Sequence, residues 1–366
     1  MIRKIFEELA PVNLALDNDP VGLQIGSWNS PITKILVTLD VNQHVVDEAI
    51  ANGADMIFSH HAPLYRPIAK LLTDTDQGRM LQKLLVHNIS VYAAHTNLDI
   101  VAGGVNDVLA GALGLDQIDI LKTTQADILK KLVVFVPRSH HQQVLEAMAA
   151  AGAGFIGNYS HCTFNTDGVG TFMPLADSNP YIGEQNRMER VEEVRLETIV
   201  DQRIEQKVID AMKAAHPYEE VAYDIYRLDL SGKEYGLGRI GRYSEPLSVD
   251  DFLRRVKTSL SLSSLQITNH DRTAIQTVAV CGGSGSRLIA DALCHKADAY
   301  ITGDITYHDA QYAAERGLLL VNAGHYQTER LIVPAIAKRL TEAITSCQLP
   351  IEVIASQVST DPFQII

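Results

Sequence analysis

The chain has 366 residues, of which 46% are hydrophobic and 20% are charged. This is enough apolar material for about two or three domains with real cores, so disorder is not expected. The formal net charge of −13 at pH 7 argues against a protein that binds a nucleic-acid backbone through Lys and Arg side chains.

No stretch approaches the roughly 18 to 20 apolar residues that cross a bilayer, and the first residues lack the features of a signal peptide, so we expect a cytoplasmic protein without a membrane partner. The four cysteines contain no CxxC pair, so neither a disulfide framework nor a thiolate zinc site is predicted.

Both ends of the chain alternate short apolar runs with helical patterns. In residues 1–125 the runs are KILVTLDV, DMIFSHH and ISVYAAHTNLDI, and helices are predicted near 43–52 and 77–87. In residues 230–366 the runs are TVAVCGG, ADAYITGDI, LLLVNAGHY and IEVIAS, with helices predicted from Ser286, from Tyr307 and from Thr328 to about Ala343. Such alternation is typical of parallel α/β sheets. We therefore predict that residues 1–125 and 230–366 are two halves of one layered α/β domain.

Residues 126–229 follow a different order. The pattern predicts β, α, β, β, α, β: KKLVVFVP, a helix near 139–151, the Gly-rich segment GAGFIGNYSHCTFNTDGVGTFMP, VEEVRLETIVD, a helix near 202–215 and VAYDIYRL. This is the order of a ferredoxin-like α+β domain. The segments 123–127 and 231–234 flank it, so we predict an inserted domain with these segments as its borders.

Two adjacent histidines follow one of the predicted strands. The strand DMIFS ends at His60 and His61, and Ala62 and Pro63 come next. Pro63 restricts the residue before it and stops strand pairing, so both imidazoles can be aimed inward. Ligands collect beyond the carboxyl ends of the strands in open α/β sheets. The pair is therefore predicted to bind a metal, with a purely structural pair as the alternative.

The next strand brings an imidazole and a carboxylate to the same edge of the sheet. ISVYAA leads into His95, and Asp99 follows four residues later. Imidazole and carboxylate together suit Zn, Fe, Mn or Co. The alternative for Asp99 is a helix N-cap or a turn carboxylate.

A third strand end, after LLLVNAG, carries His325 and Glu329, which are four residues apart at the start of a predicted helix and so share one face of it. A capping carboxylate and a strand-end polar residue are the alternatives.

The three strand ends together offer more ligands than one metal ordinarily takes. We therefore predict two divalent metal ions that share a carboxylate. Two ions about 3.5 to 4 Å apart activate water, which favours hydrolysis or ring opening. The predicted ligands are His60, His61, Asp99, His325 and Glu329.

Further polar groups lie beside these strand ends. His95 and His308 are predicted as catalytic residues that transfer protons or support the ligands, with structural hydrogen bonding as the alternative. Asp304 is predicted to hold a loop or to orient a ligand. The segment CGGSGS, residues 281–286, could receive an anion on its backbone amides, with a tight turn as the alternative.

Several motifs resemble those of a known family. SHHAPLY, AAHTNLD, GDITYHDA and NAGHYQTE are similar to motifs of the Nif-three-like family, whose members are also labelled GTP cyclohydrolase 1 type 2 homologues. DPVGLQIG is similar to the family's WDNVGLQVG, and GNYSHCTF and HPYEEVAYDIY resemble the PII-like or CutA-like insert of its longer members. The chain departs from the pattern at Asn18-Asp19-Pro20, where the family has Trp-Asp-Asn, and at Thr306, where it has Lys.

The resemblance implies a ligand set, an assembly and an activity. It implies that the five residues named above as ligands hold two divalent metals. It also implies a toroidal homohexamer whose metal sites face an internal cavity and whose inserts cover the openings. The GTP cyclohydrolase label is likewise implied by the resemblance.

Three functional hypotheses follow. The first is a metal-dependent hydrolase that acts on a nucleotide-like substrate. The second is a non-enzymatic metal-binding assembly, or a regulatory adaptor whose PII-like insert is a sensor; binding without turnover, lost on deletion of 126–229, would favour it. The third is a DNA-handling protein, which the acidic composition disfavours and which salt-sensitive duplex binding would support.

Overall fold

The computed structural model describes residues 1–364 and divides into two compact units. The two-segment unit contains Met1–Gln125 and the chain from Tyr235 onward, and the inserted unit is Ala126–Glu234. The predicted insert, 126–229, lies within the second of these. The two predicted bordering segments, 123–127 and 231–234, each lie inside a long strand that continues through them.

The two-segment unit begins with five helices and four strands and then enters a fifth strand. In chain order these are α1 (Ile2–Leu9), β1 (Gly22–Ile25), β2 (Lys34–Thr38), α2 (Gln43–Ala51), β3 (Met56–Ser59), α3 (Asp76–Val86), β4 (Ser90–Ala93), α4 (Thr96–Ile100), α5 (Val105–Ala112) and β5 (Asp116–Pro137). The inserted unit continues with α6 (His141–Ala151), β6 (Thr163–Phe172), β7 (Glu189–Asp201), α7 (Glu205–Ala215) and β8 (Tyr223–Ser248).

The second segment completes the two-segment unit. It contains α8 (Val249–Leu260), β9 (Gln266–Ile267), β10 (Ala274–Ser284), α9 (Ile289–Cys294), β11 (Ala299–Gly303), α10 (Tyr307–Ala314), β12 (Leu319–Asn322), α11 (His325–Glu329), α12 (Ile332–Ser346) and β13 (Glu352–Ala355). Short 3-10 helices occupy Val12–Leu14, Arg138–His140, Gln202–Ile204 and Ser286–Leu288. No helix within residues 1–364 is long and apolar enough to cross a membrane.

The two-segment unit contains two sheets. In the first the strand order is β1-β4-β3-β2-β13; β13, β2, β3 and β4 are parallel and β1 is antiparallel to β4. In the second the order within this unit is β8-β10-β11-β12-β9; β10, β11 and β12 are parallel, and β8 and β9 are antiparallel to their neighbours. The fold is thus a mixed α/β fold in which both chain segments contribute strands to the first sheet.

Alternating side chains of these strands enter different cores, as the period of two along a strand requires. Ile35 and Val37 of β2 belong to the core that also holds Tyr300 of β11, whereas Leu36 faces the core beneath α2 and α3. Val280 of β10 turns to a third core with α5 and α8. Both faces of each sheet are therefore covered, which explains why the parallel strands are continuous apolar runs.

The predicted helix from Thr328 to about Ala343 is instead two helices. α11 ends at Glu329 and α12 begins at Ile332. Pro334 lies in the first turn of α12, where its missing N–H is tolerated. Its ring would collide with the carbonyl four residues earlier in a continuous helix, so the proline explains the break.

The inserted unit has the predicted element order β, α, β, β, α, β. β6 and β5 flank β7 and are antiparallel to it. One face of this sheet packs against α6 and α7 through a core that includes Val134, Val144, Leu196 and Val208. The unit therefore has a hydrophobic core of its own.

A buried ion pair ties β8 to α5 inside the two-segment unit. Arg239, only 4% exposed, donates from Nε to Asp107 Oδ1 (2.6 Å) and from Nη2 to Asp107 Oδ2 (2.9 Å). Its Nη1 donates to the carbonyls of Gly236 and Gly238. Loss of the carboxylate would leave a buried guanidinium without its counter-charge.

We expect Asp107→Ala to destabilise the protein by about 3 kcal/mol, the low end for a broken buried pair because Asp107 keeps some contact with solvent. The measurement is urea unfolding followed by circular dichroism. The exposed Asp17→Ala is the control and should change the free energy of unfolding little. Equal stability of the two variants would contradict the role of the pair.

Candidate metal centre

Polar residues from both sheets of the two-segment unit gather beyond the carboxyl ends of the strands. The histidine pair follows β3, His95 follows β4, and α4 carries Asp99. In the second sheet, β12 leads through Gly324, which has φ +84°, into α11 with His325 and Glu329. The strands are short and buried, so these side chains start from rigid positions. The carboxyl-end rule that predicted the site therefore holds for both sheets.

Glu329 lies at the middle of this group and is 4% exposed. Its Oε2 is 3.2 Å from His61 Nε2 and 3.1 Å from His325 Nε2, and its Oε1 is 3.8 Å from His60 Nε2. Asp99 Oδ1 is 3.7 Å from the same His60 nitrogen. The five predicted ligands are therefore brought together around one carboxylate.

Three overlapping groups of side chains could each hold a metal ion, and within each group the ligand atoms lie within 4.8 Å of one another. Each of His60, His61 and Glu329 belongs to two of the groups. The groups are His60, His61 and His95; His61, His325 and Glu329; and His60, Asp99 and Glu329.

Each histidine of the site is oriented through its Nδ1 atom. His60 Nδ1 lies 2.9 Å from the Ala94 carbonyl oxygen, which can only accept a hydrogen bond. The other three Nδ1 atoms contact carboxylates: His61 with Asp40 at 2.7 Å, His95 with Asp19 at 2.8 Å, and His325 with Asp304 at 2.6 Å. When a neutral imidazole carries its hydrogen on Nδ1, Nε2 has a free electron pair. This is the arrangement in which histidines bind metals.

The centre contains buried polar atoms that have no hydrogen-bond partner among the described residues. They are His60 Nε2, Asp99 Oδ1 and Glu329 Oε2. A buried polar atom left without a partner costs free energy. Because two of the three belong to carboxylates and the third is an imidazole nitrogen, a cation is the species that would satisfy all of them. The residues present therefore fit a metal ion.

The pKa shifts follow from the same crowding. Burial acts to raise the pKa of Glu329, but the imidazoles of His325, His60 and His61 outweigh it and hold the pKa well below its usual value. Burial raises the pKa of Asp99, and the nearby His60 only partly opposes this. Burial lowers the pKa of His61, but hydrogen bonding to Asp40 and the proximity of Glu329 raise it to about 10. Glu329 raises the pKa of His325 to about 9 against the effect of burial. The site thus attracts positive charge.

The additional residues predicted from the sequence have different positions. His95 belongs to one of the ligand groups, and its ring centroid is 5.3 Å from that of His60. Asp304 contacts His325 and so has the orienting role that was one of its two predicted alternatives. His308 lies in the first turn of α10, and its exposed ring contacts Gln311 at 3.2 Å. None of the ligand groups formed by the described residues contains His308, and its catalytic role stays a prediction.

The glycine run at the end of β10 packs against the centre. Two of its amides already have partners, since Gly282 donates to Asn106 Oδ1 (2.9 Å) and Gly283 to Thr328 Oγ1 (3.0 Å). A Cβ atom on Gly283, which has φ +61°, would lie 2.1 Å from Glu329 Oε1. The run therefore leaves room for the proposed ligands, a steric role that was not among the two alternatives, an anion contact and a tight turn, that the sequence offered.

A cavity of about 850 Å³ opens beside His61 and His325. Asp40, Asp304 and the chain from Thr360 to Phe363 also line it. Gln327 Nε2 donates to Asp361 Oδ2 at 2.5 Å, which holds this last segment in place. No Lys or Arg is among the described residues that line the cavity. Its size suits a small molecule.

Two orienting carboxylates, Asp19 and Asp40, were not predicted. Asp19 lies in the DPVGLQIG motif, 76 positions before His95, and only tertiary structure brings them together. Asp40 had a signal, because it follows the strand KILVT just as the histidine pair follows DMIFS. Extending the carboxyl-end rule to every parallel strand would have identified it.

We expect Asp40→Asn to weaken metal binding by about 10- to 100-fold, as is typical when a carboxylate behind a metal-binding histidine is removed. The reason is that a neutral amide orients His61 less strongly. Competition with a chelator measures the affinity. Asp47→Asn is a matched control, since Asp47 is exposed and pairs with Lys83 away from the centre. Equal affinities of the two variants would contradict the orienting role.

Fold and site together define a mixed α/β protein whose strand ends carry His, Asp and Glu clusters that could bind a metal. The chain belongs to the Duf34/NIF3 (NGG1p interacting factor 3) family, whose model matches residues 1–362. The family indicated by the sequence motifs is thereby confirmed.

Several relatives match this chain nearly end to end. A Halalkalibacterium halodurans protein named GTP cyclohydrolase 1 type 2 homolog is 45% identical over 363 residues, which is 99% of this chain and 97% of the relative. A Bacillus subtilis protein with the same name is 42% identical, with coverage of 99% and 97%. Among solved structures, a Bacillus cereus protein related to NIF3 has a TM-score of 0.92 and 44% identity, with coverage of 99% and 97%.

Proposed function

We propose that the chain binds two divalent metal ions and hydrolyses a nucleotide-like substrate. The observation that carries the metal site is the set of buried, unpartnered ligand atoms on His60, Asp99 and Glu329. Zn, Fe, Mn and Co are the ions that suit such mixed ligands. The proposed ligands are His60, His61, His95, Asp99, His325 and Glu329. His95 is added to the five ligands predicted from the sequence because it belongs to one of the ligand groups.

Glu329 is the residue proposed to be shared. It belongs to two of the three ligand groups, and its two oxygens face different histidines. Two bound ions supply Lewis-acid activation of water and stabilise negative charge that develops on the substrate. The protein supplies fixed imidazoles: Asp40, Asp19 and Asp304 hold His61, His95 and His325 in the tautomer that presents Nε2.

The cavity limits the kind of substrate. At about 850 Å³ it is large enough for a nucleoside or a nucleotide. Asn322 and Gln266 offer hydrogen bonds, and Phe363 and Leu262 offer apolar surface. Because the described lining contains no Lys or Arg, the charge of a phosphate would have to be compensated by the metal ions. GTP cyclohydrolase activity is proposed only from the names of the relatives.

The test is turnover by protein loaded with each metal in turn. Metal-free protein is reconstituted with Zn, Mn, Co or Fe and incubated with purine and pyrimidine nucleotides. Mass spectrometry then detects products whose summed mass exceeds that of the nucleotide by the mass of water. We expect one metal form to hydrolyse at least one nucleotide, Glu329→Ala to be inactive, and the exposed Glu342→Ala to match the wild type. Full metal loading without any turnover would contradict the hydrolase and support the non-enzymatic metal-binding assembly.

We also propose the finer architecture and assembly. The β, α, β, β, α, β order of the inserted unit supports a ferredoxin-like domain of the PII or CutA kind. A homohexamer is proposed from the family resemblance. Sedimentation analysis at several concentrations tests it, since a stable monomer or dimer would contradict a hexamer.

A further inference from the structure

The inserted unit contains a cavity of about 580 Å³ that the proposed function does not use. One face of β6 and β7 forms its floor, and the chain from Pro174 to Ile182 covers one side. Phe172, Tyr181 and Tyr218 line it. The Tyr218 ring centroid lies 5.7 Å from that of Phe172 and 6.4 Å from that of Tyr181. Aromatic rings therefore form part of the cavity wall.

Two glycines account for the depth of this cavity. Alternation along β6 places residues 166, 168, 170 and 172 on one face, so Gly168 and Gly170 leave that face without side chains at its middle. A Cβ atom on Gly168 would meet no heavy atom within 4 Å. A Cβ on Gly170 would lie 2.0 Å from Glu193 Oε2. The cavity floor thus combines empty space with a carboxylate.

Glu193 is the buried charge of the cavity, with 9% of the residue exposed. Its Oε1 accepts a hydrogen bond from the Tyr218 hydroxyl at 3.1 Å. No described residue donates a hydrogen bond to Oε2 or forms an ion pair with this carboxylate. The neighbouring cation on the same face, Arg195, is paired with Glu197 at 2.9 Å. The carboxylate therefore lacks a counter-charge.

The charge around the cavity determines what would be bound there. Asp167 is paired with Arg138 at 2.9 Å, and Glu219 accepts the backbone N–H of Asn179 at 3.0 Å. Glu193 is thus left as the buried anion, among aromatic rings, with one oxygen, Oε2, that accepts no hydrogen bond from the described residues. A carboxylate accepts about four hydrogen bonds and pairs best with two parallel N–H donors. Aromatic faces favour planar rings and cations.

We propose that this cavity binds a planar aromatic ligand through two adjacent N–H donors, an amidine-type edge, that pair with the carboxylate of Glu193. Aromatic amidines carry this edge as a cation, and guanine carries it as a neutral ring. Phe172, Tyr181 and Tyr218 contact the ring of the ligand. The inserted unit then has a ligand site of its own, and none of the residues that line it is a proposed metal ligand.

The test measures binding of benzamidine and of guanosine to the full-length protein by titration calorimetry. We expect at least one of the probes to bind the wild type and to bind Glu193→Gln about tenfold or more weakly, since a charged hydrogen bond is lost. Glu192→Gln is the matched control, because Glu192 is the preceding residue and its side chain is 78% exposed. It should bind like the wild type.

Two further variants make the outcome independent of folding and of the metal centre. Gly168→Leu fills the cavity where a side chain has room, so it should abolish binding while the unfolding temperature is retained. Glu329→Ala should leave this binding unchanged, which separates the cavity from the metal-dependent activity. Binding by benzamidine alone assigns a cation site, and binding by guanosine assigns a site for the neutral edge; both support the proposal.

Three results would overturn the proposal. They are absence of binding by both probes at millimolar concentration, binding that persists in Glu193→Gln and Gly168→Leu, and self-association that Gly168→Leu disrupts while neither probe binds. The last result would assign the face to a second copy of the chain.

Discussion

Replacement of Glu329 by alanine is expected to remove most of the bound metal. Glu329 is the carboxylate that contacts both His61 and His325 and faces His60. Its loss removes a ligand from two of the three groups at once. An ion that loses a shared carboxylate also loses the charge that balances it. We expect about two ions per chain in the wild type and less than half of that in the variant.

Elemental mass spectrometry of protein purified without a His-tag gives the metal content. Glu342→Ala is the control, because Glu342 is exposed and pairs with Lys338 on α12. Circular dichroism verifies that both variants are folded. Unchanged metal content in Glu329→Ala would refute the shared-carboxylate site.

Substitution of Gly283 by alanine is expected to disrupt the centre although it replaces none of the proposed ligands. A Cβ atom there would lie 2.1 Å from Glu329 Oε1 and 3.1 Å from His325 Nε2. Both distances are shorter than ordinary contacts, so the carboxylate must move. Because misplacing a shared carboxylate affects both ions, we expect metal affinity to fall by about 100-fold or more, beyond the range for loss of an orienting group.

Gly53 is a close control for the backbone. It has φ +64° against +61° for Gly283, and a Cβ atom on it would meet nothing within 4 Å. Alanine at either position would have an unfavourable left-handed backbone conformation, which lowers the free energy of unfolding by about 1 to 2 kcal/mol. Urea unfolding should therefore show comparable losses, while metal titration separates the variants. If Gly53→Ala and Gly283→Ala bound metal equally, the steric role of Gly283 would be wrong.

The sequence indicated that the five proposed ligands would come together, but it indicated less of their environment. His60 and His61 at the end of an apolar strand, and His325 four residues before Glu329, are local signals that a strand end and a helical turn explain. The pairing of His95 with Asp19 is not local, since 76 positions separate them. Such contacts depend on how loops converge, which periodicity does not encode.

The segments 123–127 and 231–234, which were predicted as the borders of the insert, continue β5 and β8. One feature of the fold was misjudged. Pro334 divided the last predicted helix, and the sequence did contain that signal.

Anomalous X-ray scattering from crystals of the metal-loaded protein tests the dinuclear centre most directly. Data collected at the absorption edge of the bound metal locate each ion without reference to activity. We predict two peaks about 3.5 to 4 Å apart, both adjacent to Glu329 and bounded by His60, His61 and His325. A single peak, or peaks away from these side chains, would contradict the two-metal site.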